Sequence, residues 1–436
     1  MDPLEVPRSP LTRRALLGGA GSAALVSLLS ACAGSAGGSG GSIKFWDLPW
    51  GTQAYTAAAK KLALGVSLGK GLTPTYQVVQ WNNFLQTFAS ALSTGNGPAV
   101  STGGPALSVQ FAAKGWVENV DDVIAEWKKS GLYDDFLPGS FDPYKTANGY
   151  QAIPFQQDIR VLWYRKSLLE KAGADVPTDW PSWLAAGRAL KKIGAYAFGT
   201  GGGSGNNLGQ QAMLSMMLNN GGGLFDEGGA ADCVTARNVE AMDFVREMVA
   251  GGMVDPAAVS YTSDNLNTQW KDGHIGLGIH TPGLDAALGE KASGDFVVAA
   301  PLKGPHGTTG AMSYVNNLIL YKKSPSLQAS TTMLTHFVKN MHVLWERGLL
   351  GGLPLLKSVA DSAAIRTTSP QYGTVIDKWQ PVAKTLRERA TADSPQIEAV
   401  DASAPLLAFA QTMIQGTTDS KTALQTLETG LRSVMK

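Results

Sequence analysis

The sequence predicts an α/β protein made of two domains. Three observations point there. Short apolar runs with a period of two alternate along the chain with longer runs of helical period. Glycine is abundant, with 51 residues, and much of it gathers between those runs, as in "GTGGGSG" and "NNGGG". At 436 residues the chain exceeds what one hydrophobic core covers. Strand alternating with helix further predicts mostly parallel sheets.

The elements follow in order. "SIKFWDL" opens with alternating apolar residues and reads as a first strand, and "TPTYQVVQW" as a second. "AYTAAAKKLALGVSLG" between them reads as a helix. In "NNFLQTFASALSTGNG", Phe84, Phe88, Ala91 and Leu92 share one helical face, Asn82 or Asn83 supplies the cap, and Gly95 ends the helix. "DWPSWLAAGRALKKIG" carries its own punctuation: Asp179 as N-cap, Pro181 in the first turn and Gly194 just past the end. Further strands fall at "YQAIPF", "IGLGIH", "DFVVAAP" and "NNLILY", and further helices at 237–250, 326–347 and 403–414. No repeat is visible.

The first forty residues form a separate unit of meaning. Arg13 and Arg14 precede an uncharged, mildly apolar run from Ala15 to Ala31, too short and too glycine-diluted for a membrane-spanning helix. The arginine pair resembles a twin-arginine export signal. "LSAC", Leu29 to Cys32, resembles a bacterial lipobox. Residues 1–31 are then a cleaved signal, Cys32 a lipidated anchor, and 32–42, with "AGSAGGSGGS", a flexible tether. The protein is expected outside the cytoplasm, on the outer face of the cell membrane.

Charge and cysteine content narrow the classes. Without residues 1–31 the basic count falls from 36 to 33 and the acidic count from 35 to 33, so the body is close to neutral. It lacks the basic excess that nucleic-acid binding needs. Of two cysteines, the lipidated Cys32 leaves Cys233 without an intrachain partner. A hydrophobic content of 44% allows the body to hold itself by core burial alone.

Catalytic motifs approach and miss. "GVSLGKG" is one residue short of a P-loop and lacks its Ser or Thr, and "TGGGSGNN" lacks the last glycine of a dinucleotide loop. The five histidines, His274, His280, His306, His336 and His342, show no metal-ligand spacing. No cofactor, metal or catalytic residue is expected, and the protein is read as a binder rather than an enzyme. Its 11 tryptophans all follow the signal. An indole offers a flat apolar face, and the C–H face of a sugar ring stacks on such a surface while its hydroxyls seek polar partners. Trp46 with Asp47, Trp81 with Asn82, and Asp158 with Arg160 in "QQDIR" place polar groups near aromatics or at strand ends. Trp116, Trp127, Trp163, Trp183 and Trp345 read as core.

Taken in order, these landmarks resemble the extracellular solute-binding proteins of ABC transporters, in the carbohydrate-binding family 1. "IKFWDL" is similar to that family's opening strand. "FLQTFASALSTGNGPAV" is similar to its helix followed by "G-x-x-P-D", with Ala99 where Asp is usual. "GYQAIPFQQDIRVLWYRKSLLEKAG" is the most specific stretch, with Arg165 where Asn is usual. "FAAKGWVENVDD", "NNGGGLFDE" and "LPLLKS" follow in the family's order. The resemblance implies a periplasmic-binding-protein-like fold of two α/β lobes, one of 43–152 with 306–357 and the other of 153–305 with 358–436. A cleft between them holds the ligand and a hinge closes over it. It implies ligand contacts at Trp46, Asp47, Trp81, Asn82, the Gly103–Gly104 turn, Asp158, Arg160, His280, Thr281, Tyr314 and Asn316. It also implies a monomer that takes a small carbohydrate and delivers it to ABC permease transmembrane subunits. Two alternatives remain open at this level: a binder of a glycerophosphodiester or polyol, and a surface-anchored glycoside hydrolase.

Overall fold

The alternation of short strands and helices is realised as two main sheets of unequal size, beside a two-stranded ribbon that pairs Lys145–Thr146 with Gly149–Tyr150. A computed structural model describes residues 41–436 other than 82–83, 147, 291–292, 369, 391–394 and 402. Arg13, Arg14, Cys32 and Asn82 lie outside the described residues, as does Asn83.

The first sheet begins as read from the sequence. Strand β1 (Ser42–Asp47), helix α1 (Gln53–Leu64), β2 (Thr73–Val78), α2 (Phe84–Ser93), β3 (Val100–Gly103) and α3 (Pro105–Ala113) follow one another. β1 pairs in parallel with both β2 and β3. The chain then enters β4 (Ile153–Ile159) and, after Arg160 alone, β5 (Val161–Arg165). Helices α4 (Trp180–Lys192), α5 (Leu208–Asn219) and α6 (Ala236–Ala250) come next. They lead to β6 (Leu277–His280), β7 (Phe296–Val298) and the long β8 (Ala311–Leu320). Helix α7 (Leu327–Asn340), the short β9 (Leu353–Pro354) and β10 (Ala383–Lys384), and helices α8 (Ala404–Gln415) and α9 (Ser420–Val434) complete the framework.

The large sheet runs β9-β4-β8-β3-β1-β2, with β10 on the starting end of β8. The small sheet runs β6-β5-β7. β4 and β5 therefore belong to different sheets although one residue separates them. Around the large sheet lies one lobe, whose core stacks Phe45 on Phe337 at 4.8 Å and sets Phe155 against Trp345 at 6.0 Å. The small sheet and helices α4, α5, α6, α8 and α9, which pack on one another, form the second lobe. Its core includes Trp183 against Phe198 at 5.5 Å and Trp180 against Phe244 at 4.6 Å.

Three expectations change. The sheets are mixed rather than mostly parallel: β8 runs antiparallel to both β3 and β4, and both pairings within the small sheet are antiparallel. The strand read at "YQAIPF" instead spans Ile153–Ile159, so Gln156, Gln157 and Asp158 lie within it rather than beyond its end. The helix read over 326–347 is two, Leu327–Asn340 and Val343–Glu346.

Helix α4 behaves as its sequence says. Asp179 accepts from the Ser182 amide at 2.9 Å while the Ser182 hydroxyl accepts from the Asp179 amide at 3.0 Å, a complete capping box. Pro181 sits in the first turn, and Gly194 takes a positive φ of 81° past the end. Among the described residues no helix is long and apolar enough to cross a membrane.

Candidate functional site

The residues singled out in the sequence separate into two groups. At the end of β1, Trp46 is 6% exposed and packs edge-on against Phe88 at 5.1 Å. Asp47 is wholly buried and accepts hydrogen bonds from Thr102 Oγ1 at 2.6 Å, Tyr76 at 2.7 Å and Tyr55 at 3.0 Å. Burial pushes its carboxyl up to about 6, against the pull of those donors. Both side chains are engaged within the first lobe. β1 lies between β2 and β3, and α1 packs on β2, so both residues, named in the sequence as ligand contacts, are packed among the side chains of this lobe.

Trp81 is different: it is 42% exposed. It meets Trp50 edge-on at 4.7 Å and Phe84 at 5.5 Å, and donates from its indole to the Pro49 carbonyl at 3.2 Å. Trp50 also lies 6.1 Å from Phe155 on β4, and its own buried indole N–H has no acceptor among the described residues. The sequence places Trp50, like Trp46 and Trp81, at a strand end or loop start, without assigning it a contact.

The second group gathers where the two sheets meet. In the β4–β8 pairing Asp158 lies opposite Tyr314, and Gln156 opposite Asn316. Because a strand's side chains alternate, these four share one face. Gln156 Oε1 and Asn316 Nδ2 are buried on it without partners among the described residues. Gly104 lies beside this face, and a Cβ built there would come within 3.9 Å of Asn316 Oδ1. At Gly103 an added Cβ would come within 2.9 Å of Asn317 Oδ1, so only glycine allows that approach.

Arg160, the single residue between β4 and β5, is 5% exposed. Its Nη1 lies 2.7 Å from Asp158 Oδ1, a close ion pair whose N–H is not aligned on the oxygen as a hydrogen bond. Its Nε donates to Gln211 Oε1 at 2.6 Å, and its guanidinium lies 5.4 Å from the centre of the Tyr314 ring. Its backbone amide donates to the Met312 carbonyl at 2.8 Å, fixing the crossing of the two lobe-joining strands. The Tyr314 hydroxyl donates to Asp401 at 3.2 Å. Neither Gln211 nor Asp401 was signalled by the sequence, since each acts at a site formed by strands far away in the chain.

His280 lies opposite Val161 on the small sheet, next to Arg160. Its Nδ1 meets Thr281 Oγ1 at 3.1 Å, and its buried Nε2 has no partner among the described residues. Burial, then the Arg160 charge, lower its pKa to about 3, so the ring is neutral at ordinary pH. Thr281 holds the neighbouring strand: its carbonyl accepts from the Trp163 indole at 2.8 Å. Behind Arg160, within the second lobe, Leu162, Trp183, Met216, Ile279 and Trp379 help line a cavity of about 20 Å³. That is room for about one water and far too little for a sugar ring.

The face is therefore polar, buried and nearly balanced in charge. It carries donors and acceptors for hydroxyl groups, and an aromatic pair lies at the neighbouring end of β4.

Residues 39–339 match the model of the bacterial extracellular solute-binding protein family. A sugar transporter protein from Arthrobacter chlorophenolicus A6, crystallised with laminaribiose, is 48% identical, covers 91% of this chain and all of its own, and superposes with a TM-score of 0.86. The GacH receptor of Streptomyces glaucescens, at 22% identity, shares the fold with a TM-score of 0.73 over 91% of this chain and 98% of its own. A binding protein of Brucella abortus (strain 2308) is 25% identical over 330 residues, 72% of this chain and 78% of that protein. With the match covering more than half of the chain, including the whole small sheet and most strands of the large one, the chain belongs to the bacterial extracellular solute-binding proteins.

Proposed function

We propose that this protein captures a neutral sugar or oligosaccharide between its two lobes and hands it to the permease of an ABC importer, held to the membrane through Cys32. The observation that carries the reading is the buried face of Gln156, Asp158, Tyr314 and Asn316, where Gln156 Oε1 and Asn316 Nδ2 lack partners among the described residues beside a paired carboxylate and guanidinium. Each unmet buried group costs about 1–3 kcal/mol, which a ligand hydroxyl recovers. Trp81 and Trp50 supply an apolar platform. The laminaribiose held by the Arthrobacter relative supports a short glucan as the first probe.

Charge argues against the phosphate alternative. Arg160 is already committed to Asp158 and Gln211, His280 is neutral, and Asp401 adds a carboxylate nearby. A phosphate would meet no free cation among these groups. A polyol would satisfy the same donors but would use the tryptophans less. We assign 43–152 with 306–357 to one lobe and 153–305 with 358–436 to the other, closing about the Arg160 junction.

Titration calorimetry with laminaribiose, maltose, mannitol and glycerol 3-phosphate tests the reading. A neutral sugar is expected to bind with micromolar affinity, about 8 kcal/mol, and glycerol 3-phosphate not at all. Preferential binding of the phosphate would overturn it. New reducing ends released from oligosaccharides by the purified protein would establish the hydrolase instead.

A further inference from the structure

Charge is unevenly spread over the first lobe. Between Gly41 and Val117 stand five lysines and a single carboxylate, Asp47, which is wholly buried. Between Ala311 and Trp345 stand three more lysines and no carboxylate. The lobe's acidic residues begin at Glu118 and continue to Asp142, on a segment whose Val120 amide donates to the Tyr150 carbonyl just ahead of β4.

Folding brings Lys44, Lys70, Lys114, Lys322 and Lys323 to one end of the large sheet, where β1 and β2 start and β8 finishes. Lys44 donates from Nζ to the Asn96 carbonyl at 3.0 Å. Lys323 reaches the same turn, since a Cβ built on Gly95 would lie 3.9 Å from its Cδ. The Lys322 amide donates to the Trp116 carbonyl at 3.0 Å, and the Lys114 ammonium lies 5.1 Å from the centre of a Trp116 ring. Lys70 stands in the turn from Gly69 to Leu72, after which the Thr73 amide donates to the Gly41 carbonyl at 3.1 Å. Lys44 is half-buried and the other four are exposed. None of the five pairs with a carboxylate among the described residues. Lys322 and Lys323 precede the amino terminus of α7, where the helix dipole disfavours a cation, so local stability does not account for them.

The same end carries an apolar tip and the first described residue. A Cβ built on Gly41 would lie 2.7 Å from Pro325 Cβ and 3.4 Å from Leu72 Cδ2. Two positions past Pro325, Leu327 is 48% exposed, the most of any large apolar side chain among the described residues. Cys32 and Gly41 are nine positions apart in the chain. A glycine- and serine-rich segment of that length spans about 17 Å root mean square and at most about 32 Å. A lipid on Cys32 would therefore keep this end of the sheet near a bilayer.

We propose that this basic end, with Lys70, Lys114, Lys322, Lys323 and Leu327, is a membrane-docking surface that rests on the anionic headgroups of a phospholipid bilayer. The proposal rests on the reading of Cys32 as a lipid anchor: the acyl chains hold the protein to the bilayer, and this surface sets which way it faces. Each lysine near an anionic surface adds an attraction that salt screens, and Leu327 enters the headgroup layer. Trp50 and Trp81 follow the opposite ends of β1 and β2, so docking leaves the proposed ligand face open to the medium.

The test is flotation with vesicles, of phosphatidylcholine alone and of phosphatidylcholine mixed with phosphatidylglycerol. The protein is the chain from residue 32 onward, which holds every described residue, with Cys32→Ala so that no acyl chain contributes. It is expected to bind the anionic vesicles at low salt, to leave them at high salt, and to ignore phosphatidylcholine alone. Adding Lys70→Gln, Lys322→Gln and Lys323→Gln together is expected to weaken binding by about tenfold or more, and Leu327→Ser alone severalfold. The same change at Lys128, Lys129 and Lys145, exposed beside the acidic residues of the lobe, removes equal charge and is expected to have little effect. No binding to the anionic vesicles, equal binding to phosphatidylcholine alone, or equal weakening by the two triple changes would overturn the surface. Because the tested chain carries no lipid, those outcomes leave the anchor reading standing, and membrane fractionation of Cys32→Ala tests that reading separately. Laminaribiose titration is expected to give the same affinity in both triple variants, so the sugar reading is judged on its own.

Discussion

Asp158, which we propose as a ligand contact, and Asp47 are two carboxylates in opposite settings. Asp158 sits in the middle of β4, on the shared polar face, paired to Arg160. Replacing it by alanine removes charge-assisted hydrogen bonds to ligand, each worth about 1.5–3 kcal/mol, and is expected to weaken sugar binding tenfold to a hundredfold. Calorimetry on the purified variant checks this, and an unchanged affinity would remove Asp158 from the site. Asp47 is a stability group. Its folded value of about 6 lies above the ordinary 3.8, so the folded state binds the proton more tightly. Its contribution is fully present below about pH 4 and is lost as pH rises through 6, on the order of 3 kcal/mol. Wild type is thus expected to lose melting temperature, relative to Asp47→Asn, between pH 4 and 7. Parallel melting curves for the two proteins over that range would contradict the assignment. At this scale the sequence was partly legible. It singled out Asp158, which the structure pairs with Arg160, but it could not distinguish Trp46, packed on Phe88, from Trp81, open to solvent, because both follow the same strand-like pattern.

At the scale of elements, legibility followed locality. Helix α4 was readable to its ends because its signals lie within a few residues: Asp179, Pro181, Ser182 and Gly194. Asp179→Ala should cost about 1 kcal/mol, seen as a lower urea midpoint with an unchanged slope. A midpoint equal to wild type would mean that the cap is replaced by another donor's partner. Strand direction was not readable. Alternation of strand and helix orders the elements, but β8 inserts antiparallel between β3 and β4 through pairings with residues more than 150 positions earlier. The same distance hid Gln211 and Asp401. A glutamine on a helix and an aspartate before one look ordinary until Arg160 and Tyr314 are brought beside them.

For the whole molecule, stability rests on the cores of two lobes rather than on covalent links. Cys233 is buried, with its thiol pushed up to about 12 by that burial, so it is a poor nucleophile and an inert packing group. For the amino-terminal cysteine we propose the opposite role, a lipid anchor. Cys32→Ala should leave a folded, sugar-binding protein that no longer fractionates with membranes, and changing Arg13 and Arg14 together to lysine should lower its surface amount. Persistence of the Cys32 variant in salt-washed membranes would argue against a lipid anchor. The Trp50–Trp81 pair gives the molecule one more property. Trp50 and Trp81 hold their indoles at 4.7 Å and nearly perpendicular, the first half-buried and the second open to water. Two chromophores that close couple their electronic transitions, and the coupling depends steeply on their mutual angle. The pair is therefore an optical gauge supplied by the sequence itself: the difference in aromatic circular dichroism between wild type and Trp81→Phe reads its geometry, and the difference in emission reads the hydration of Trp81, without any attached dye.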